Sequence, residues 1–428
     1  MKSHSDKNTK QPKLRFPGFT GEWKEKRLKD YSALITKGTT PNYFSKEGVK
    51  FIKIESLDGA NIVNEKCLYI DNDVHFGALN RSVLKENDIL FAIAGATIGK
   101  VAVVKKENLP ANTNQALSII RLKDYSSLNY ILHILQSEVM RKYILESISV
   151  GAQPNLNLQQ MGNFSFYIPS LPEQNKIAEF LSDIDTKIEK LARKKQLTEQ
   201  YKKGAMQKIF SQKIRFKDEK GKNYPDWEEK RLGDVAEFIQ TNSFSRECMN
   251  YKAGQVQNIH YGDIHMRYPS ILNVKSALIP YINEDVNIEK YNNINFCQNG
   301  DIIFADASED TKDIGKCIEI TNMSKEKILA GLHTIHVRFK AKMALGYNGH
   351  YLSSPYVKDQ IMKLAQGISV FGISKKAISE LEIMLPVLEE QKKIADFLID
   401  LDTRIEHINK ELARLKEFKK GLLQGMFV

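Results

Sequence analysis

The sequence is poor in cysteine. Its four (Cys67, Cys248, Cys297 and Cys317) match neither a metal-ligand spacing nor a disulfide framework, so they are expected as free thiols in a reducing compartment. Long apolar runs are also missing: the longest, Ile89 to Gly99, is too short and glycine-rich to cross a membrane. Residues 1–13 are polar and basic without the apolar stretch of a signal peptide, and are expected to be a disordered basic tail. These absences place the protein in the cytoplasm, with no membrane partner.

Catalytic signatures are lacking too. Gly95-Ala-Thr-Ile-Gly99-Lys100-Val101 is one residue short of a phosphate-binding loop, and Val101 stands where a magnesium-binding hydroxyl is needed. A turn leading into a strand explains it better. No dinucleotide fingerprint and no Asn/Asp-Pro-Pro-aromatic motif of an amino-methyltransferase occurs. His333 and His336 sit at odd spacing on an expected strand and so face opposite sides, while His260 and His265 lack a metal-ligand pattern. The residues imply no catalysis, no metal and no cofactor bound by this chain.

What is present is positive charge and self-similarity. Lys and Arg number 63 against 52 acidic residues, a formal charge of +11 with a pI near 9.1, which suits a polyanionic partner. Trp23-Lys-Glu-Lys-Arg27-Leu28-Lys-Asp30 returns as Trp227-Glu-Glu-Lys-Arg231-Leu232-Gly-Asp234. Asp88-Ile-Leu-Phe91-Ala92 returns as Asp301-Ile-Ile-Phe304-Ala305, and Ile98-Gly99-Lys100 as Ile314-Gly315-Lys316. From there the offset is constant: Ile177-Ala178-Glu179-Phe180-Leu181 matches Ile394-Ala395-Asp396-Phe397-Leu398, and Tyr201-Lys-Lys-Gly204 matches Phe418-Lys-Lys-Gly421. The chain is a tandem duplication.

Each copy has one plan. A mixed segment (14–169 and 211–386) carries short strands such as Val49–Ile54, Ile89–Ile93, Val101–Val104, Leu117–Leu122, Ile302–Ala305 and Thr334–Phe339, with helices expected at Leu128–Ser147 and Gly349–Leu364. A helical region (170–210 and 387–428) closes each copy. Pro172 and Glu173, with Gln174, suit the first turn of a helix, and Glu390-Gln391 repeats the pair. Ile177, Leu181, Ile184, Ile188 and Leu191 recur in steps of four and three, as do Ile394, Leu398, Leu401, Ile405, Ile408, Leu412 and Leu415. Two such seams would be marginal alone but could bury each other as an antiparallel pair. The class is α+β: two similar globular recognition domains joined by two long antiparallel coiled-coil helices with pseudo-two-fold symmetry. The helices would form a rod of roughly 50–60 Å at about 1.5 Å per residue.

Residues suited to DNA gather at matched places. The first copy offers Lys37, Thr39, Thr40, Asn42, Tyr43 and Lys53, then Lys100, Asn112 and Gln115. The second offers Gln240, Asn242, Arg246, Gln257, Asn258, His260 and Tyr261. Arg reads guanine and Asn or Gln reads adenine in the major groove, while Lys, Ser and Thr hold phosphates. Asn112–Gln115 finds no clear match in the second copy, where Ala330-Gly331-Leu332-His333 stands. On the residues alone, a self-contained nuclease with a cryptic site and a coiled-coil scaffold without DNA binding remain alternatives.

Several of these stretches carry a family resemblance. Gly38-Thr-Thr-Pro41, Asn87-Asp88-Ile-Leu-Phe91, Thr97-Ile-Gly99-Lys100 and Ile168-Pro-Ser-Leu-Pro-Glu173-Gln174-Asn-Lys-Ile177-Ala178, with Leu385-Pro-Val-Leu-Glu-Glu390-Gln391-Lys-Lys-Ile394-Ala395, resemble type I restriction–modification specificity subunits. The second copy departs from the pattern in carrying Glu389 where the first has Pro172, with Pro386 remaining nearby. The resemblance implies one recognition domain per half of a bipartite, asymmetric double-stranded DNA site. It also implies helices that set the spacing and dock two methyltransferase subunits using S-adenosylmethionine. Restriction subunits using ATP and magnesium would join that complex, and this chain would itself do no chemistry.

Overall fold

In the computed structural model of the chain, residues 11–148, 155–309, 313–365, 367 and 371–428 are described. Most of the expected basic tail, residues 1–10, lies outside them. The fold is α+β and divides into two compact units, Met1–Ala192 with Lys410–Val428, and Arg193–Asn409. The helical regions therefore form no third body. Each long helix, Leu171–Phe210 and Leu388–Gly425, is shared between the units.

In the first unit the main sheet runs in the order Ser32–Lys37, Leu117–Leu122, Ile89–Ala92, Val101–Val103, all antiparallel. The second unit repeats it as Ala236–Ile239, Thr334–Phe339, Ile302–Ala305, Cys317–Thr321 and adds Ile271–Asn273 as a parallel edge. The central strands Ile89–Ala92 and Ile302–Ala305 are buried along their whole length. This explains why they read as unbroken apolar runs rather than alternating ones. A smaller sheet stands beside each: Val49–Ile52 pairs in parallel with Ala111–Thr113, as Gln257–Ile259 does with Ile328–Ala330. A two-stranded ribbon closes each domain, Lys24–Arg27 on Ser165–Ile168 and Glu228–Arg231 on Glu382–Leu385.

The repeated motifs have structural causes. Asp88 takes a bidentate contact from Arg121 at 2.7 Å, and Asp301 takes one from Arg338 at 2.9 and 2.7 Å. The preceding turns need a left-handed residue, met by Asn87 (φ 69°) and Gly300 (φ 94°). Gly99 and Gly315 are left-handed too, and each faces an isoleucine of the helix behind it, Ile144 and Ile361. The Ile-Gly-Lys motif is thus the turn expected of it, shaped for helix packing rather than for phosphate. The single helices expected at Leu128–Ser147 and Gly349–Leu364 are each broken in two, into Leu128–Leu135 with Glu138–Ser147 and Tyr347–Leu352 with Pro355–Leu364. Ser137 and Ser354 are extended at the breaks, and Pro355 opens its helix.

The Glu–Gln pairs behave differently from expectation. Glu173 and Glu390 are buried, and they accept the guanidinium groups of Arg15 (2.7 and 2.9 Å) and Arg215 (3.2 and 2.7 Å). Gln174 and Gln391 donate to the Pro169 and Pro386 carbonyls at 2.9 and 2.8 Å, while accepting from Ser127 Oγ and Ala344 N. Facing inward, these four tie each helix to its own domain instead of presenting a docking face. Pro172 stays exposed.

The seam is likewise divided. Ile177 and Leu181 belong to the core of the first unit, and Ile394, Leu398 and Leu401 to that of the second. Ile184, Ile408 and Leu412 are buried; Ile188, Leu191, Ile405 and Leu415 are half-buried. Within each unit the helix segments run antiparallel, with Lys419 on Asp185 at 2.6 Å and Lys187 facing Glu411 in the first. In the second, Lys202 meets Asp402 and Tyr201 meets the Phe397 ring.

Both carboxylates are approached from the domain side as well. His350 Nε2 lies 2.8 Å from Asp402, and His133 Nδ1 lies 4.0 Å from Asp185. A His–Asp–Lys junction thus recurs at equivalent positions. The far end of each helix is plugged by a phenylalanine: Phe427 on Tyr130 (5.4 Å) and Phe210 on Tyr347 (6.2 Å). Full burial of one such ring stabilises by about 2–3 kcal/mol.

Burial and then the Lys419 charge push the His133 imidazole down to about 3. The folded chain therefore binds fewer protons than the unfolded chain, whose histidines titrate near 6.5. This contribution to stability is complete above about pH 6.5 and declines as pH falls toward 3. The His133 ring resonance in an NMR titration should stay flat from pH 8 to 5; a midpoint near 6.5 would refute the assignment. The glycines supply a second test. A Cβ on Gly315 would stand 2.6 Å from Ile361 Cγ2, against 3.3 Å from Ile144 Cδ1 for Gly99. Gly315→Ala should cost about 2–4 kcal/mol and Gly99→Ala about 1–2 kcal/mol in urea melts, with the order of the two being the decisive outcome.

Candidate nucleic-acid interface

In the first unit, the loop after Ser32–Lys37 lies on the loop after Ala111–Thr113. Gly38 N bonds the Leu117 carbonyl at 3.3 Å and Thr39 N the Thr113 carbonyl at 3.0 Å. A Cβ at position 38 would be 2.0 Å from the Thr113 oxygen, so only glycine fits. This crossing brings Thr40 to Gln115, and Thr39 accepts from Arg81 Nη2 at 3.1 Å. Thr39, Thr40 and Gln115 therefore form one polar cluster, with Arg81 as a member that sequence reasoning missed. Lys37 and Asn42 are exposed, and Tyr43 is exposed with its hydroxyl 2.9 Å from Asp71. Lys53 faces Glu55 at 3.9 Å, and Lys100 is exposed on the glycine turn.

Asn112 is corrected. It is fully buried, donating to Leu79 O (2.9 Å) and Ser82 Oγ (3.1 Å) and contacting His75. Its hydrogen-bonding capacity is spent inside the fold.

The second unit uses the equivalent place with other chemistry. Asn242 and Asn258 are also interior: Asn242 Nδ2 donates to Asn258 Oδ1 at 2.7 Å and to Ala330 O at 3.0 Å. They brace the loop and are removed from the surface set. Gln257 is half-buried, reaching Ile279 O at 3.3 Å, and Gln240 is exposed. Asn242 N bonds Ala330 O as Thr39 N bonds Thr113 O, so Ala330-Gly331-Leu332-His333 is the counterpart of Thr113–Ala116, and Asn112 is matched by Leu329.

Around this crossing lies a polar and aromatic group. Asp263, buried in the short helix Tyr261–Met266, takes Arg246 Nη1 at 2.8 Å and lies 3.7 Å from Arg267 Nε. Tyr251 touches both arginines through its hydroxyl, at 2.5 Å from Arg267 and 3.5 Å from Arg246, and Arg267 also lies over its ring at 5.3 Å. His260 accepts from Gly262 N at 3.1 Å, and burial with the Arg246 charge pulls its pKa down. Tyr261 packs edge-on against His333 at 5.2 Å, and His333 Nδ1 lies 3.1 Å from Asp306. Arg246, His260 and Tyr261 were legible as candidates. Tyr251 and Arg267 were not, since only the fold brings them to Asp263.

His333 and His336 do face opposite ways. His336 is buried on Asp301 at 2.7 Å, and with Cys297 these are the three buried side chains placed closely enough to hold a metal among the described residues. Asp301 Oδ2 already accepts Arg338 Nη2, His336 Nε2 and Gln298 N, each at 2.7 Å, and burial drives the Cys297 thiol far up. An internal arginine thus neutralises the site that a cation would use. No helix among the described residues is long and apolar enough to cross a membrane.

Comparison with known proteins agrees with this architecture. The chain is 26% identical over 441 residues to the type I restriction enzyme MjaVIII specificity subunit of Methanocaldococcus jannaschii, covering 99% of this chain and 96% of that one. The type I restriction enzyme EcoBI specificity subunit of Escherichia coli is 29% identical over 135 residues, 31% of this chain and 27% of that one. The crystal structure of the type I restriction-modification S subunit from M. genitalium superposes with a TM-score of 0.57 at 15% identity, covering 98% and 99% of the two chains. A chain from a structural study of complex assembly in the type I R-M system gives 0.54 at 17% identity, covering 96% and 98%. The profile of the type I restriction modification DNA specificity domain matches residues 20–199 and again 224–417. The chain therefore belongs to the type I restriction–modification specificity subunit family, whose work is the recognition of DNA sequence.

Proposed function

We propose that this chain reads a bipartite, asymmetric double-stranded DNA site, one half per unit, and lends that specificity to a complex whose chemistry resides in other subunits. One observation carries the reading. The two units share scaffold contacts (Asp88–Arg121 with Asp301–Arg338), while the loops at the matched crossing differ: Thr39, Thr40 and Gln115 in one, Arg246 and Tyr261 in the other, where the candidate His260 is buried beneath them. One scaffold presenting two surfaces suits two different half-sites. Two methyltransferase subunits would use S-adenosylmethionine, and restriction subunits would use ATP and magnesium.

Deleting the gene should abolish adenine methylation at one two-part motif in the genome, and restoring it should return that motif; an unchanged methylome would defeat the reading. Binding to duplex DNA by the assembled complex should also weaken steeply with salt, by roughly tenfold or more between 50 and 200 mM, because each neutralised phosphate releases counterions. Affinity indifferent to salt would argue for a scaffold role.

A further inference from the structure

The second unit holds two arginines on one buried carboxylate, an arrangement that internal stability does not require. Asp263 is 3% exposed, and Arg246 alone neutralises it at 2.8 Å. Arg267 is a second cation at the same carboxylate, 3.7 Å away and half exposed, so the trio carries a net positive charge at the surface. Tyr251 fixes both arginines through one hydroxyl and supports Arg267 with its ring. No hydrogen bond from Arg267 Nη2 or Arg246 Nε to another described residue is present, so each fork keeps donors for an outside acceptor. Beside them His333, half exposed, stands in the left-handed region at φ 53°, held by Asp306 and Tyr261.

The matched crossing of the first unit is built from Thr39, Thr40 and Gln115, and among the described residues it shows no such arginine pair. A forked, pre-oriented guanidinium is the side chain that reads the O6 and N7 acceptors of guanine in the major groove. Resting on the proposed function, we infer that Arg246 and Arg267, oriented by Asp263 and Tyr251, are the base-reading pair of the second unit, and that the half-site it reads contains guanine.

The test uses the full chain with its methyltransferase subunits, in cells without other adenine methylation, read by methylome sequencing. The wild type should modify a two-part motif with guanine in at least one half. Arg246→Lys and Arg267→Lys keep the charge but lose the fork. At least one of them should relax the guanine position, cutting the preference for guanine over other bases there by about tenfold to a hundredfold, with the bases of the other half unchanged. A motif without guanine, or both variants reproducing the wild-type motif and extent, overturns the inference and leaves the proposed function standing. So does a uniform loss across all sequences with the motif intact, which marks phosphate contacts. If the wild type modifies no two-part motif, it is the proposed function that fails. A second measurement is independent of how the variants fold. The wild-type complex should bind a duplex carrying 7-deazaguanine in that half-site about tenfold more weakly than the natural duplex, since N7 is gone. Equal affinity for the two duplexes overturns the assignment.

Discussion

The His–Asp–Lys junction sets the terms for everything else in each unit. A long helix that leaves one domain and ends on the other must be gripped by groups from both. Asp185 and Asp402 supply that grip, taking a lysine from the opposite helix and facing a histidine of the domain. Each carboxylate is only partly withdrawn from water, 24% exposed for Asp185 and 41% for Asp402, with the lysine and the histidine around it. At Asp402 burial works against the charge, yet the bonds from His350 and Lys202 outweigh it and hold the carboxyl below its usual range. The three residues recur at equivalent positions of both copies, with His350 Nε2 hydrogen-bonded to Asp402 at 2.8 Å and His133 Nδ1 4.0 Å from Asp185. The phenylalanine plugs beyond it, Phe427 and Phe210, then complete cores that the domains leave open.

With the helices fixed in this way, the domains can differ where they face outward. Their interiors have kept the same solutions: a carboxylate–arginine pair at the start of the central strand, a left-handed residue before it, a glycine against an isoleucine. The crossing loops have kept none of their side chains. Buried constraints on charge and volume hold a position constant, whereas an exposed loop braced by backbone bonds tolerates almost any side chain. A duplicated scaffold therefore diverges first where it would meet a ligand.

The legible parts of the sequence were those governed by local or periodic rules. Apolar runs gave the central strands, steps of four and three gave the long helices, and the duplication gave two units. Seam periodicity could not say what covers the seam, because Ile177 packs on its own domain while Ile408 lies far along the helix, and both obey one spacing. Nor could residue type separate a surface asparagine from a buried one. Asn112 and Asn258 look like adenine readers until the fold surrounds them with partners. Arg267 was missed for the opposite reason, since its partners Tyr251 and Asp263 meet it only after the helix Tyr261–Met266 has turned.

The two crossings show how such divergence is accommodated sterically. In the first unit the crowding falls on the outer loop, and Gly38 yields to the carbonyls of Thr113 and Asn114. In the second, Gly331 on the inner loop is crowded instead by its neighbouring strand, through the Asn258 side chain and the Ile259 carbonyl, and Asn242 stands where Thr39 does. The backbone hydrogen bond across the crossing is the same in both units. That bond joins backbone to backbone, so it does not depend on the side chains the two loops carry. A crossing with that freedom can accept bulky readers on either loop without moving the sheets beneath. One fold can in this way present two different surfaces.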